Sequence, residues 1–161
     1  MARHTPTPVS SSWPAVAAKA LAAAAILCRE RGAPLTAVRK CLLETLWQAG
    51  QPLGAYELMH RLEAALGRRL TPPTVYRSLD FLVSQGFVAR IESRNAFVPC
   101  AHPEHPHACV FFVCERCRVS VEVENRALER LIARDAGTLG FEINRRVIEL
   151  QGTCADCQGV E

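Results

Sequence analysis

The sequence predicts an α+β protein in two parts, a helical first half that ends in a hairpin and a second half of short strands around one helix. Its 161 residues are 49% apolar, enough to bury a core in one domain or in two small ones. The distribution of charge favours two domains. Residues 1–99 carry 12 Lys and Arg against 6 Asp and Glu, whereas residues 100–161 carry 7 Lys and Arg against 10 Asp and Glu. A basic half suits a polyanion such as DNA, although ordinary solvated surfaces are basic just as often.

No segment predicts secretion or membrane insertion. Residues 1–13 are polar and rich in Pro and Ser, and no apolar run reaches the about 20 residues that cross a bilayer. We therefore expect a cytoplasmic protein with no membrane partner. In a reducing cytosol eight cysteines are a poor disulfide framework, and six of them follow residue 99 in a tight pattern with three histidines. Metal binding is the better interpretation.

A winged-helix domain is predicted over residues 14–99, after a loose tail over residues 1–13. Helical periodicity, a candidate N-cap at Thr36 and helix-ending glycines mark four helices. The predicted helices cover residues 14–31, 36–50 and 56–67, and a fourth enters through Thr71-Pro72-Pro73-Thr74, where we expect the threonines to cap it, and ends at Gly86. Phe87–Ile91 and Ala96–Val98 then resemble the strands of a hairpin. Three of these helices followed by the hairpin predict a winged helix.

The fourth predicted helix has an apolar stripe and a polar face. Val75, Leu79, Leu82 and Val83 form the stripe. The opposite face carries side chains that can hydrogen-bond to phosphates and base edges, namely Thr74, Arg77, Ser78 and Gln85. Arginines nearby are expected to neutralise phosphates, unless they only solvate a basic surface, and these are Arg68, Arg69, Arg90 and Arg94.

The second half predicts an α/β domain over residues 109–161, after a hinge loop over residues 100–108 that is too broken by proline for a helix. Asn125 is a candidate N-cap for one helix that runs toward Gly137. The predicted strands are Val110–Val113, Val119–Val123, Phe141–Ile143 and Val147–Leu150.

Two Cys-x-x-Cys pairs, Cys114/Cys117 and Cys154/Cys157, predict one structural zinc site. Four soft thiolates arranged as two chelating pairs favour tetrahedral zinc. The 36 residues between the pairs are more than a zinc ribbon usually has, so the ion would fasten a strand-helix-strand unit to the segment that follows it. A redox Cys-x-x-Cys or four buried free thiols are the other interpretations, but a redox pair needs no twin.

A second group of metal-ligand side chains precedes the first pair. It contains Cys100, His102, His105, His107 and Cys109, and Glu122 or Glu124 on the next predicted strand could add a carboxylate. Mixed sulfur, nitrogen and oxygen ligation is looser than four thiolates, which suits an exchangeable ion that selects one of two conformations. A solvated His-rich loop with Cys109 in the core is the alternative. Cys28 and Cys41 are predicted to be packing residues.

Taken together, these residues resemble the ferric uptake regulator family, and within it the zinc-sensing branch, the zinc uptake regulators. The resemblance covers about residues 15–157. Its ordered matches are Leu35-Thr36 with Arg39, Ala55-Tyr56-Glu57-Leu58, the run from Pro72 to Leu82, Gln85-Gly86-Phe87-Val88, Cys100, His107, Cys114-Glu-Arg-Cys117, Gly140-Phe141, Val147-Ile148-Glu149 and Cys154/Cys157.

The resemblance implies a homodimeric, non-enzymatic repressor whose N-terminal winged helices bind a palindromic operator in double-stranded DNA and whose C-terminal domains are dimerisation domains. Zinc would be the corepressor and would repress transcription of zinc-uptake genes. Each subunit would bind one structural and at least one regulatory zinc ion. Cys114, Cys117, Cys154 and Cys157 fall on the structural positions, and Cys100, His107 and Glu122 on the regulatory ones. Tyr56 and Arg77 fall on DNA-contacting positions, and we add Thr74 and Tyr76 from the fourth helix to the candidate DNA-binding residues.

One departure from the family pattern concerns the regulatory site. Relatives often have a histidine in the wing strand as the fourth regulatory ligand, and this sequence has Ala89 there. His102 or His105 could replace it. Relatives also commonly carry proline and glutamine between Thr36 and Arg39, where this sequence has alanine and valine.

Three alternatives remain at the level of sequence. The same fold could sense iron or peroxide, although a cysteine among the regulatory candidates favours zinc. A zinc-fastened adaptor that senses nothing is the second. The third is a zinc deaminase, faintly suggested by His102-Pro-Glu104 before Cys114, but in that chemistry a proline precedes the first cysteine, where this sequence has Val113.

Overall fold

A computed structural model describes residues 13–100, 103, 109–144 and 146–158. These residues belong to two compact units that divide between positions 106 and 107, each with its own three-stranded sheet. Among the described residues, no helix is both long and apolar enough to cross a membrane.

The first unit has four helices and a small antiparallel sheet, as a winged helix requires. Its elements are α1 (Trp13–Glu30), α2 (Ala37–Ala49), β1 (Leu53–Gly54), α3 (Ala55–Leu66), α4 (Pro72–Ser84), β2 (Val88–Ile91), a 3-10 turn (Glu92–Arg94) and β3 (Ala96–Pro99). The strand order is β1-β3-β2. The sequence predicted every helix and the hairpin, but missed β1, because two residues are too few to show a strand period.

Caps set the ends of these helices where the sequence placed them, with one exception. The Thr36 side chain accepts the Arg39 amide at 3.5 Å, and α2 ends at Gly50 with φ 63°, a left-handed conformation that glycine adopts without strain. Thr71 occupies the N-cap position of α4 but makes no capping bond; its Oγ1 lies 2.9 Å from Oγ1 of Thr74. The second proline of α4 has no amide hydrogen to offer a cap, and the Thr74 amide donates to the Thr71 backbone carbonyl at 2.9 Å, so the expected threonine side-chain cap is wrong.

The core of the first unit is built from leucines of α2, α3 and α4. Six of them have no exposed surface, namely Leu42, Leu46, Leu58, Leu62, Leu79 and Leu82. Val75 of α4 and Phe87 just before β2 are 1% exposed in the same cluster. Each fully buried leucine contributes about 2–3 kcal/mol of hydrophobic free energy, so this core holds α4 firmly against α2 and α3.

The wing is a four-pair antiparallel ladder that turns through Asn95. Val88 pairs with Pro99 and Ile91 with Ala96, and Asn95 has φ 46°, which asparagine tolerates better than most residues. Arg90 donates to Oδ1 of Asn95 at 2.8 Å and lies 3.1 Å from a Glu92 carboxylate oxygen. Arg90, expected on DNA phosphates, therefore makes its described contacts within the wing.

The second unit is a mixed sheet with one long helix. Its elements are β4 (Cys109–Cys114), β5 (Ser120–Val123), α5 (Arg126–Leu139), β6 (Val147–Gly152) and α6 (Ala155–Gln158). β4 lies in the middle, antiparallel to β5 and parallel to β6. The parallel register pairs Cys114 with Gly152, so both strands end side by side and the cysteines beyond them must meet.

The strand predicted over Phe141–Ile143 is wrong. Those residues carry no strand, and α5 continues two residues past Gly137 to Leu139. Gly140 has φ 66° and the Phe141 amide donates to the Ala136 carbonyl at 2.8 Å. This is the glycine-based helix ending in which the chain folds back on the last turn, so the apolar run after Gly140 belongs to a cap.

Replacing Asn125 by alanine should loosen the start of α5. Its side chain accepts the amides of Ala127 at 3.0 Å and Leu128 at 3.1 Å, and losing such a cap costs about 1 kcal/mol. Hydrogen exchange at those two amides should therefore accelerate about fivefold in Asn125→Ala. Asn125→Asp keeps an acceptor and should retain protection; equal exchange in the wild type and Asn125→Ala would contradict the capping role.

Candidate metal centre and nucleic-acid interface

The four sulfurs of the two Cys-x-x-Cys pairs converge at the ends of β4 and β6. The Sγ atoms of Cys114, Cys117, Cys154 and Cys157 all lie within 4.8 Å of one another, and those of Cys117 and Cys154 are 3.6 Å apart. A disulfide would need about 2.05 Å. Four sulfurs at zinc-bond distance of about 2.3 Å lie about 3.8 Å apart in a tetrahedron, so the observed spacing suits an enclosed ion.

Backbone hydrogen bonds shape the first pair into a tight turn. After β4 the amide of Cys114 donates to Val119 at 2.9 Å, and the amide of Arg118 donates to Cys114 at 3.0 Å. Arg118 closes the turn with φ 66°, a conformation that costs a non-glycine residue about 1 kcal/mol. The turn thus aims both thiols of the pair toward the end of β6.

Amide hydrogen bonds make the Cys114 thiol more acidic than an ordinary cysteine thiol. The amides of Cys154 and Cys117 lower the pKa of the Cys114 thiol to about 6, because N–H donors stabilise a thiolate. The neighbouring thiols of Cys154 and Cys117 raise the pKa of Cys157 to about 12. Crowded sulfurs cannot all ionise without a cation, so the cluster is built to gain from a dication.

Arg116 bridges the two halves of the cluster. It lies inside the first Cys-x-x-Cys pair, and its Nη1 donates to the Cys157 carbonyl oxygen at 2.8 Å. The sequence analysis did not single out this residue. A cationic side chain between two cysteines of a four-thiolate site was the available signal, because such a site carries net negative charge.

The cluster should bind zinc with an affinity that falls as pH falls. At neutral pH the Cys157 thiol, with its pKa of about 12, keeps its proton until metal arrives, and below about pH 6 Cys114 is protonated as well. Zinc must displace these protons. Chelator competition from pH 8 to pH 5.5, with calorimetry in two buffers to count released protons, tests this; a constant affinity would contradict it. Cys28→Ala should behave like the wild type.

The residues of the predicted regulatory site are only partly described. Cys100 is 3% exposed, and its amide donates to the Phe87 carbonyl at 2.9 Å, directly beyond α4. Ala89 pairs with Val98, and side chains two residues apart in a strand share a face, so Ala89 and Cys100 lie on one face of the wing. Glu122 lies half-buried in β5 opposite Phe111. His102, His105 and His107 lie outside the described residues.

The exposed face of α4 gathers most of the predicted DNA contacts. Thr74, Tyr76 and Arg77 are exposed there, with Tyr76 37% exposed, and Tyr56 at the start of α3 is 67% exposed. Among the described hydrogen bonds and ion pairs none uses the Arg77 side chain, which leaves its guanidinium available. A free arginine fork matches guanine acceptors in a major groove.

Two residues predicted on that polar face have other partners. Ser78 is only 6% exposed, and its hydroxyl donates to the Thr74 carbonyl at 2.8 Å. Gln85 accepts from Arg31, whose Nη1 lies 2.9 Å from the Gln85 carbonyl oxygen and 3.1 Å from its Oε1. Ser78 bonds within its own helix, as short polar side chains commonly do, and Gln85 is held by Arg31, so neither side chain is a free contact.

Residues 30–151 match the family model described as the ferric uptake regulator family. The chain belongs to this family. Among curated ferric uptake regulator proteins, the zinc uptake regulation protein of Escherichia coli K12 is 37% identical over 142 residues, covering 88% of this chain and 82% of the relative. The zinc uptake regulation protein of Mycobacterium tuberculosis H37Rv is 32% identical over 123 residues, covering 74% and 92%.

Solved structures agree with these relatives. A zinc uptake regulator complexed with zinc and DNA superposes with a TM-score of 0.78 at 36% identity, covering 89% of this chain and 96% of that one. Holo XcZur gives a TM-score of 0.74 at 40% identity, covering 87% and 97%. The predicted membership in the zinc uptake regulator branch, the winged-helix domain and the dimerisation-domain fold are thereby confirmed.

Proposed function

We propose that this family member is a zinc-responsive transcriptional repressor that binds palindromic operator DNA as a dimer when loaded with zinc and represses zinc-uptake genes. The observation that carries the proposal is the likeness, over 89% of the chain, to a zinc uptake regulator complexed with zinc and DNA. Such a repressor works beside its DNA in the cytoplasm, and its proposed role requires binding to zinc and DNA rather than catalysis.

The first zinc ion is proposed to be structural and to sit among Cys114, Cys117, Cys154 and Cys157. The four converging sulfurs support this, because zinc favours four thiolates in a closed tetrahedron. The ion would fix the end of β6 to the end of β4. Such binding energy is folding energy, so the ion would be permanent scaffolding of the second unit.

The second unit is proposed to pair with a second copy of the chain. α5 is strongly amphipathic, yet none of its residues is buried within the described part of the chain. Large apolar side chains of this unit are exposed, namely Phe112, Val119, Leu131, Leu139, Phe141 and Leu150. Exposed apolar side chains concentrated on one unit favour an interface, and family membership favours the homodimer.

The regulatory zinc is proposed to bind Cys100, His107 and Glu122, with His102 or His105 in place of the wing histidine that Ala89 lacks. The backbone bond from Cys100 to Phe87 supports a link to α4, since Phe87 is three residues beyond the end of that helix. A hundredfold change in DNA affinity needs about 3 kcal/mol of coupling, which a few metal-ligand bonds made in one state alone can supply.

An iron- or peroxide-sensing regulator of the same fold is the alternative function. The buried thiol of Cys100 disfavours this alternative, because iron and peroxide sensors prefer nitrogen and oxygen donors. Two curated relatives, at 37% and 32% identity, are also named for zinc uptake.

Metal dependence of operator binding tests the sensor directly. Operator sites selected from random DNA would be titrated with the protein at buffered free zinc, iron(II) and manganese(II). We expect zinc alone to drive binding, and Cys100→Ser to raise the zinc concentration for half-binding at least about tenfold, because one ligand bond is lost. Cys41→Ser, a half-buried thiol away from the sites, is the matched control. Operator binding that does not depend on any of the three metals would contradict the proposed metal-sensing function.

Arg77→Ala tests base recognition by α4. Losing a bidentate base contact should weaken operator binding by about 1–3 kcal/mol, or roughly tenfold to a hundredfold, with little change on random DNA. Fluorescence anisotropy on both duplexes measures the ratio, and Arg29→Ala, at an exposed arginine of α1, serves as the control. Equal losses on the two duplexes would assign Arg77 to phosphates.

A further inference from the structure

Two arginines from the α1–α2 segment contact the last turn of α4. The guanidinium carbon of Arg39 lies 3.5 Å from the centroid of the Phe81 ring, and its Nη1 donates to the Pro34 carbonyl at 2.6 Å. Arg31 donates to the Gln85 carbonyl at 2.9 Å and to the Gln85 side chain at 3.1 Å. Since Phe81 and Gln85 are four residues apart, both contacts fall on one side of the helix.

The Arg39 contact depends on the shape of its side chain as well as on its charge. Arg39 and Phe81 are both half-buried, and a planar guanidinium stacks on a ring face in a way that a lysine ammonium does not reproduce. The hydrogen bond to the Pro34 carbonyl also restrains the position of the guanidinium. Arg39 therefore fixes Phe81 relative to the loop that precedes α2.

The Arg31 contact is directed at the helix end. The carbonyl groups of the last turn of a helix lack helical partners and carry partial negative charge. Arg31 donates to one of them and also lies 5.8 Å from the Phe87 ring centroid. The C-terminal end of α4 is thus tied to the end of α1.

Among the described residues, the first turn of α4 receives no side-chain hydrogen bond from another helix; packing of Val75, which is 1% exposed, holds it in the core instead. Thr71 makes no side-chain cap, and Thr74 and Arg77 lie exposed in the first half of the helix. The direction in which these two residues point follows from the core packing of the helix together with the two arginine contacts at its last turn. Phe81 is one turn beyond Arg77, so a shift of Phe81 moves Arg77 with it.

We propose that Arg39 and Arg31 are positioning residues for DNA recognition, which set the angle at which α4 presents Thr74 and Arg77 to the operator. The proposal rests on the proposed function, because it takes α4 as the helix that enters the major groove. Neither arginine needs to touch DNA for this role.

The test compares operator and random DNA binding by full-length, zinc-loaded variants. Arg39→Lys keeps the charge and loses the planar stack, so operator affinity should fall about tenfold while random-DNA affinity changes less than about twofold. Arg31→Gln should act in the same direction, and less, because Arg31 is exposed. Arg29→Lys, an exposed α1 arginine, should bind like the wild type.

A double-variant cycle separates positioning from general stability. If Arg39 acts through Phe81, Arg39→Lys with Phe81→Leu should be no worse on operator DNA than the more damaging single change. Thermal unfolding of each variant shows whether the protein remains folded at the assay temperature.

Five outcomes decide the matter. Selective, non-additive loss of operator affinity in folded variants supports the proposal. Equal losses on both DNAs, or additive losses in the cycle, would overturn it in favour of a phosphate contact. Unchanged operator binding by Arg39→Lys would also overturn it. Failure of the wild-type protein to select any DNA sequence would instead overturn the proposed function.

Discussion

The parallel pairing of β4 with β6 is the contact on which the second unit depends. Cys114 lies opposite Gly152, and this single register brings together two cysteine pairs that are 36 residues apart in the sequence. A shift of one residue would turn every side chain of β6 to the opposite face and separate the sulfurs. A metal ion in the cluster and the strand register therefore stabilise each other, because each requires the geometry that the other provides.

In the first unit, the inner face of α4 is held rigidly while its outer face stays exposed. Fully buried leucines fix the inner face of α4, and the contacts of Arg31 and Arg39 fix its last turn. On the outer face, the Arg77 side chain takes part in none of the described hydrogen bonds or ion pairs. Rigid support beneath an exposed polar face limits the entropy lost when that face binds a partner.

Local sequence signals predicted the features that depend on neighbouring residues, namely the helices, their caps and the cysteine pairs. Helical periodicity, Thr36 and Asn125 as caps, and glycines at helix ends placed the helices well, and the two Cys-x-x-Cys pairs predicted the sulfur cluster. The errors came from context: the Phe141 run is a helix cap, and Ser78 bonds its own helix. Pairings of Arg31 and Arg39 with residues 54 and 42 positions away leave no local pattern, because folding alone brings those partners together.

The position of the last two cysteines constrains the order of assembly during synthesis. The first unit is complete by position 106, and domains generally fold as units from the N-terminal end as a chain emerges. β4 appears next, but its neighbour β6 and the sulfurs of Cys154 and Cys157 emerge only some 40 residues later. A ribosome-bound chain can therefore complete its winged helix while the four-sulfur cluster is still incomplete, and all four sulfurs are available to a metal ion only after translation has passed Cys157.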